Sequence, residues 1–477
     1  MERTRREPAP RHGTQACGGP TEALDSSPYE AEPCAALVPF AVVVSLVRVG
    51  FYFHPPRAWE WDAFLSGRLG LSGTDGQVLR AAHELSHRYG MEVVLLQSRS
   101  ASPHERIQSH HVDGAVGAVE MAHRLQLDCL VFNNRGDQET LAAMERSNQL
   151  AQKVIVWDQN GPTEDAADKI FACDAVKRLL CVSASQCDGV RHHPVFSKTE
   201  FIYNSVEPSF FSGAEARLPN SVVFLGSLVP AKGFQLLAAA WPAIRRAVPT
   251  ATLHVLGSAQ LYNDSASLGP LGVAEAEFEL QMLVPHLGAT RAECQANGVN
   301  FHGLASPQQV RDQLLRAAVA VVNPHCHGPS SETFCVSAVE AQACATAVVG
   351  GRAGGLVETV RHGQTGVLIS DLAELPTELI GFLRNPRKAA VYGERGRRYV
   401  DQRFAPGAMG DRWVQVLSDV VNDRPAHPPS IDLKRVTASL LARESLRVGR
   451  SLPLIGRGVP TLRQLRKLRS RILRPHS

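Results

Sequence analysis

The chain has 477 residues, 44% hydrophobic and 20% charged, with a formal net charge of +4. That length and apolar content suit a soluble globular protein of two domains and exclude a largely unfolded chain. The 10 cysteines include no C-x-x-C pair, so neither a disulfide framework nor a cysteine zinc site is indicated.

Residues 1–33 are rich in Pro, Gly, Ser and charge and read as disordered. The apolar run AALVPFAVVVSLV (35–47) is too short to span a bilayer and is broken by Pro39. It runs straight into the first expected strand, so cleavage as a signal peptide would damage the domain, and no secretion is expected. A buried extension, a loose surface anchor and a working start near Val47 all remain open for it.

VRVGFYF (47–53) is the first expected strand. The loop GLSGTDG (70–76) leads into a helix with Val78, Leu79, Ala82 and Leu85 on one face, then strand MEVVLL (91–96). LDCLVFNN (127–134) and KVIVWDQN (153–160) read as buried strands with polar ends, followed by RLLCVSAS (178–185) and TEFIYNSVEPSFF (199–211).

A second alternating block begins with SVVFLGSLVPAKGFQLLAAAWPAI (221–244). Its strand ends at Gly226, Lys232-Gly233 opens a helix, and Leu236, Leu237, Ala240 and Trp241 form the apolar face. TATLHVLGSA (250–259) and GVNFHGLAS (298–306) read as strands ending at Gly257 and Gly303, and a helix with Val310, Leu314 and Leu315 follows. Strand–helix alternation predicts parallel sheets covered on both faces, with ligands outside the carboxyl ends of the strands. Gly226, Ser227, Lys232, Gly257, Gly303 and Glu332 all fall at or just past such ends.

The most informative segment is VNPHCHGPSSETFCVSAVEAQACATAVVGGRAGGLVET (322–359). Glu332 is expected in the loop after the strand AAVAVV (317–322). Glu340 is expected about two turns into a helix whose first turn begins near Thr333–Val336. A helix start offers unpaired N–H groups and the positive dipole end to a phosphate, and flanking glutamates accept hydrogen bonds from sugar hydroxyls. That outlines a nucleotide-sugar site. Cys326 stands between His325 and His327, but three adjacent donors close a tetrahedral shell poorly, so a loop beside the site is the better reading.

The helical segment 392–421 precedes a basic tail with 12 Lys or Arg against 2 Asp or Glu over 431–477. Within TLRQLRKLRSRILR (461–474), Leu462, Leu465, Leu468, Ile472 and Leu473 recur near helical spacing among basic residues. Such a stretch reads as a segment for an anionic membrane surface or, equally, as a solubilising tail. No aromatic interleaving or binding fold points to nucleic acid.

Segment 322–359 resembles the E-x7-E region of the family-4 retaining glycosyltransferases. The resemblance is carried by Asn323-Pro324, Ser331-Glu332-x-Phe334, Glu340-Ala341-x-Ala343-Cys344, Ala347-Val348-Val349, Gly354-Gly355 and Glu358. It implies the GT-B fold, two Rossmann-like α/β domains facing each other across a cleft. The expected divisions are an extension at 1–46, an acceptor-binding domain at 47–215, a nucleotide-sugar domain at 216–385, closing helices at 386–425 that return to the first domain, and a tail at 426–477.

The resemblance further implies that Lys232 and the helix start (Thr333, Phe334, Cys335, Val336) hold the donor diphosphate. Glu332 takes the sugar hydroxyls and Glu340 the ribose hydroxyls. Gly73 and Gly76 are the candidates for the first loop and helix start facing the phosphates, and Asp158 is a candidate near the transfer centre. The acceptor, a saccharide or lipid-linked, is expected near Asn133, Asn134, Asp158 and Asn160. Asn204-Ser205-Val206-Glu207, with Phe210 and Phe211 beyond, resembles the segment closing the first domain.

The donor is expected to be a UDP-, GDP- or ADP-sugar, in a metal-independent, retaining reaction. The absence of any D-x-D agrees with that. A cytoplasmic protein, peripheral on the inner membrane face if the tail binds there, is the expected setting, with polysaccharide or glycoconjugate assembly as the commonest role. A dinucleotide oxidoreductase would need G-x-G-x-x-G after a strand, and no segment has that form. A sugar-nucleotide epimerase of the same fold would not match this region as well. The remaining rival is a relative that binds without turnover, suggested by Ser227 where the family often has arginine and by Cys335 and Ala345 where glycine is common.

Overall fold

The computed structural model describes residues 47–54, 59–71, 73–99, 104–134, 136–261, 265–326, 332–431 and 438–451. The apolar run at 35–46, Ser72, residues 327–331 and the amphipathic stretch 461–474 lie outside them. Among the described residues, thirteen strands form two sheets.

The first sheet contains β1 (Arg48–Phe53), β2 (Glu92–Gln97), β3 (Ile107–His111), β4 (Cys129–Asn133), β5 (Val154–Trp157), β6 (Val176–Cys181) and β7 (Thr199–Phe201), in the order β3-β2-β1-β4-β5-β6-β7. The second contains β8 (Leu218–Leu225), β9 (Thr252–Leu256), β10 (Val299–Gly303), β11 (Ala317–Val322), β12 (Ala347–Gly351) and β13 (Gly366–Ile369), in the order β10-β9-β8-β11-β12-β13. Neighbouring strands run parallel, with Val49 opposite both Val93 and Cys129, and Val222 opposite Leu253 and Val319. Both faces of a parallel sheet are covered by crossover helices, so its strands are apolar throughout. β11, AAVAVV, is buried along its whole length.

The helices that matter below are α1 (Gly73–His87), α2 (Ala184–Val190), α3 (Phe234–Ala247), α4 (Pro307–Arg316), α5 (Val336–Ala343), α6 (Pro386–Arg403), α7 (Pro406–Val421) and α8 (Ala438–Ser451). α4 starts on a full capping box, Ser306 with Gln309, and Pro307 in its first turn fits the fixed proline φ.

Strand order reverses between β1 and β4 in the first sheet and between β8 and β11 in the second. Loops leaving two strands on either side of such a reversal splay apart and open a crevice. Lys232 follows β8 and Glu332 follows β11, so both lie at the reversal of the second sheet.

The closing segment divides more sharply than expected. α6 packs chiefly on the second domain against α5 and β12, reaching the first only at its end, where Arg403 donates to the Tyr203 hydroxyl at 3.3 Å, and α7 crosses to pack on α1. Trp413 of α7 is fully buried, with its ring 5.5 Å from Phe51 and 5.0 Å from Trp157. Glu200, fully buried, pairs with Arg178 at 2.8 Å and with Arg412 of α7 at 2.5 Å, which fixes the crossing electrostatically.

Two expectations need correction. Residues 199–211 contain a strand of only three residues, β7, and then an extended connector. β3, IQSHH, was not expected, because an exposed edge strand carries no apolar alternation. Part of the basic tail is ordered: α8 packs on the first domain, with Arg443 donating to the Asp188 carbonyl at 3.3 Å and Leu440 buried.

Candidate active site

The site is built from backbone upward. Gly226, Gly257 and Gly303 stand side by side at the ends of β8, β9 and β10, joined by Gly226 N–H to Leu256 O at 3.1 Å and Gly257 N–H to Gly303 O at 2.8 Å. A Cβ on Gly257 would lie 1.9 Å from the Gly226 carbonyl oxygen, so only glycine lets these loops close up. A Cβ on Gly303 would meet nothing within 4 Å, which leaves that position facing open space.

Lys232 ends a short turn, Pro230–Lys232, ahead of α3. Its ammonium pairs with Oε1 of Glu332, which is only 8% exposed. Asn323, at the end of β11, donates its amide to Glu332 Oε1 at 3.4 Å and to the Ala231 carbonyl at 3.2 Å. The Glu332 carbonyl accepts from Gly355 N–H at 2.8 Å. A Cβ on Gly355 would lie 2.2 Å from the Thr333 carbonyl oxygen, so the Gly354-Gly355 pair lets that loop clamp the backbone carrying Glu332. Lysine and glutamate are therefore held by four separate segments.

α5 begins at Val336, one residue beyond Cys335, whose φ is +70°. Of its first-turn N–H groups, that of Ala338 donates back to the Cys335 carbonyl at 3.1 Å, while those of Val336 and Ser337 have no intrahelical acceptor. Across the cleft, α1 begins at Gly73, and a Cβ there would lie 4.0 Å from Cγ2 of Val336. Two helix N-termini thus approach each other near the Lys232–Glu332 pair, and each carries the positive end of its helix dipole.

Glu340 lies one turn into α5 rather than the expected two, because the helix starts only at Val336; it is half-buried and within electrostatic reach of Arg80 on α1. Burial raises its carboxyl to about 7, partly offset by Arg80. Arg80 itself packs over the Phe64 ring at 5.5 Å. Nothing local in the sequence marks Arg80; only the approach of α1 to α5 does.

Several expected site residues do other work. Ser227 is buried, and its hydroxyl donates to the Ser258 carbonyl at 3.2 Å, so it supplies no cation in place of the missing arginine. Gly76 lies in the helix rather than in a loop and is buried; a Cβ there would lie 3.7 Å from the Phe64 ring. Phe334 is buried among Tyr203 and Phe404, with ring centres 5.8 and 5.4 Å away. Thr333 clasps the two domains: its hydroxyl donates to the Gln159 carbonyl at 2.6 Å, and its carbonyl accepts from the Ser183 hydroxyl at 2.6 Å. Burial pushes the Cys335 thiol well up, so it is no nucleophile at neutral pH.

Asp158 is a loop brace. Its carboxylate accepts from Asn134 at 2.7 Å, Asn160 N–H at 2.9 Å and Gly161 N–H at 2.7 Å, and it is 1% exposed. These bonds shape the loop after β5 and leave the carboxylate little freedom to act on a reacting proton.

Cys335 and Ala345 both hold left-handed backbone, at φ +70° and +53°. An L side chain there costs about 1–2 kcal/mol. Ala345 follows α5 at the position where glycine usually ends a helix, with Thr346 N–H to the Ala341 carbonyl at 2.9 Å. Ala345→Gly should therefore stabilise the protein by about 0.5 kcal/mol, after the greater freedom of unfolded glycine is set against the relieved strain. A urea melt showing no gain, or a loss, would contradict that origin.

Two facing parallel sheets, a helix crossing back from the second domain to the first, and a cleft lined by strand-end loops define the GT-B fold. Residues 219–385 match the family described as Glycosyl transferases group 1. The chain is 30% identical over 200 residues to a GDP-mannose-dependent alpha-(1-6)-phosphatidylinositol monomannoside mannosyltransferase of Mycolicibacterium smegmatis, covering 41% of this chain and 47% of that one. It is 32% identical over 193 residues to a D-inositol 3-phosphate glycosyltransferase of Segniliparus rotundus, covering 40% and 38%. The chain thus spans less than half the length of these two curated relatives. Among solved structures, sucrose-phosphate synthase from Thermosynechococcus elongatus superposes with a TM-score of 0.58 at 15% identity, covering 79% of this chain and 100% of that one. HepE of Anabaena, solved with UDP, gives 0.57 at 14%, covering 78% and 100%. Among the described residues no helix is long and apolar enough to cross a membrane.

Proposed function

We propose that this protein is a family-4 retaining glycosyltransferase that moves a sugar from a nucleoside-diphosphate sugar to a saccharide or lipid-linked acceptor. The observation that carries the reading is the Lys232–Glu332 pair beside the start of α5, opposite the start of α1. Lys232 and the first-turn N–H groups of α5 neutralise the diphosphate as charge builds on it. Glu332 accepts sugar hydroxyls while keeping Lys232 aimed, and Glu340 accepts ribose hydroxyls.

The bond from the anomeric carbon to the phosphate oxygen breaks, and a bond to the acceptor oxygen forms on the same face. The acceptor proton passes to the departing phosphate. Neither a metal nor a protein nucleophile is needed in this scheme. The names of the curated relatives make GDP-mannose the first donor to try, and an inositol phosphate or phosphatidylinositol mannoside the first acceptor. The stretch 461–474 would hold the enzyme at an anionic membrane on the cytoplasmic side, where a role in glycoconjugate assembly would place its acceptor.

A thermal-shift screen against UDP-, GDP- and ADP-sugars tests the donor site. One nucleotide class should stabilise the protein, and Lys232→Ala should weaken its binding roughly 10- to 100-fold, the worth of a hydrogen bond to a charged group. Equal responses in parent and variant would mean the site is misplaced. Because Ser227 contributes no cation, binding without turnover is the second reading. Donor stabilisation with no nucleotide release in the presence of acceptors would favour it.

A further inference from the structure

Far from the cleft, α1 carries a cluster that the glycosyl-transfer scheme does not use. His83 and His87, one helical turn apart, have rings stacked 4.0 Å centre to centre. His104, in the loop entering β3, stands edge-on to His87 at 5.0 Å and rests on the Trp61 ring at 4.5 Å. One ring nitrogen from each of the three lies within 4.8 Å of the others. His87 Nδ1 is 3.1 Å from the His83 carbonyl, an acceptor that fixes the proton there and leaves the Nε2 lone pair open. Glu105 brings a carboxylate oxygen to 3.7 Å from that Nε2.

We propose that His83, His87 and His104 bind a divalent cation of the zinc class, with Glu105 or water in the fourth position. Imidazole nitrogens suit Zn2+, and three of them plus one oxygen make a tetrahedral set. Ligation by His104 would exchange one contact, the Arg106 N–H to Nδ1 at 3.2 Å, which is exposed and therefore weak.

The cluster lies 10 to 14 residues along α1 from Gly73, roughly 15–20 Å at 1.5 Å per residue, so the ion is structural rather than catalytic. It joins the end of α1 to the loop entering edge strand β3, and so stiffens the helix whose other end forms a wall of the cleft. The cysteine count could not reveal this site, because its ligands are histidines separated by a whole strand, β2.

The test is a Zn2+ titration of chelator-stripped full-length protein against a chromophoric competitor, with thermal melts alongside. One Zn2+ per chain should bind and raise the melting temperature. His83→Ala and His104→Gln should each weaken binding at least about 100-fold, as much as loss of an outer-shell partner does at its strongest, and abolish the stabilisation. Co2+ in place of Zn2+ should give visible absorption of a tetrahedral site. His302→Ala, in the other close histidine pair (His254–His302, 3.0 Å between ring nitrogens), should change nothing. Should His83→Ala fail to fold, His104→Gln, on a loop, decides alone. Substoichiometric binding, or binding kept by His104→Gln, overturns the proposal.

Discussion

Glu340→Gln should make the protein more stable at pH 7.5 while weakening its hold on the donor nucleotide. Burial raises the Glu340 carboxyl from 4.5 to about 7. A folded-state pKa above the unfolded one means the folded chain binds the proton more tightly. The associated stability is present below about pH 4.5 and is lost as pH rises through about 7. The full shift corresponds to about 3 kcal/mol; because Glu340 is only half-buried, solvent reduces this to about 1–2 kcal/mol. Glutamine stays neutral and escapes that loss.

Donor binding moves the other way on the proposed mechanism. The ionised carboxylate accepts the ribose hydroxyls, so affinity should rise with pH by up to about tenfold per unit below pH 7 and level off above it. Glutamine should bind roughly 10- to 100-fold more weakly, with no such pH profile. Urea melts from pH 5 to 8 and calorimetric donor titrations separate the two effects. Parallel pH profiles of stability for parent and variant would show that Glu340 ionises normally.

Glu358→Ala should destabilise the protein by about 3 kcal/mol and loosen the junction between its domains. Glu358 is 3% exposed and belongs to the second domain, yet its carboxylate caps α2 of the first. It accepts from Ala184 N–H at 3.0 Å, Ser185 N–H at 2.7 Å and the Tyr203 hydroxyl at 2.8 Å. The alanine variant leaves one buried and two partly buried donors without this acceptor, including two at a helix start where no intrahelical partner exists. Glu358→Gln keeps one acceptor oxygen and should cost roughly half as much. A lower urea midpoint with faster proteolysis in the connector after β7 is the expected result. An unchanged midpoint would mean that the junction is held elsewhere, at the Thr333 clasp or the Tyr203–Phe334–Phe404 rings.

Much of this was legible in the chain. β11 falls at 317–322 as expected, and the strands expected to end at Gly226, Gly257 and Gly303 end within one residue of them, at Leu225, Leu256 and Gly303. Lys232 and Glu332, a hundred residues apart, do meet. Periodicity and strand-end glycines carry this information because they reflect local backbone needs. Two parallel sheets follow from the alternation repeated twice, since a parallel strand pair needs a crossover helix, whereas the GT-B arrangement was implied by the resemblance of segment 322–359.

What the residues alone could not decide is which polar side chains face the cleft. Asp158 and Ser227 occupy promising positions after β5 and β8, yet their oxygen atoms are already bonded to Asn134 and Ser258. Phe334 joins an aromatic junction, Thr333 clasps the first domain, and Glu340 acquires Arg80 from a helix about 260 residues upstream. By itself the sequence determined two parallel sheets, a helix start near Thr333–Val336, and the lysine and glutamate beside it. Only the tertiary structure decided the direction of each buried polar group, because that direction is set by whichever donor or acceptor from a distant segment satisfies it.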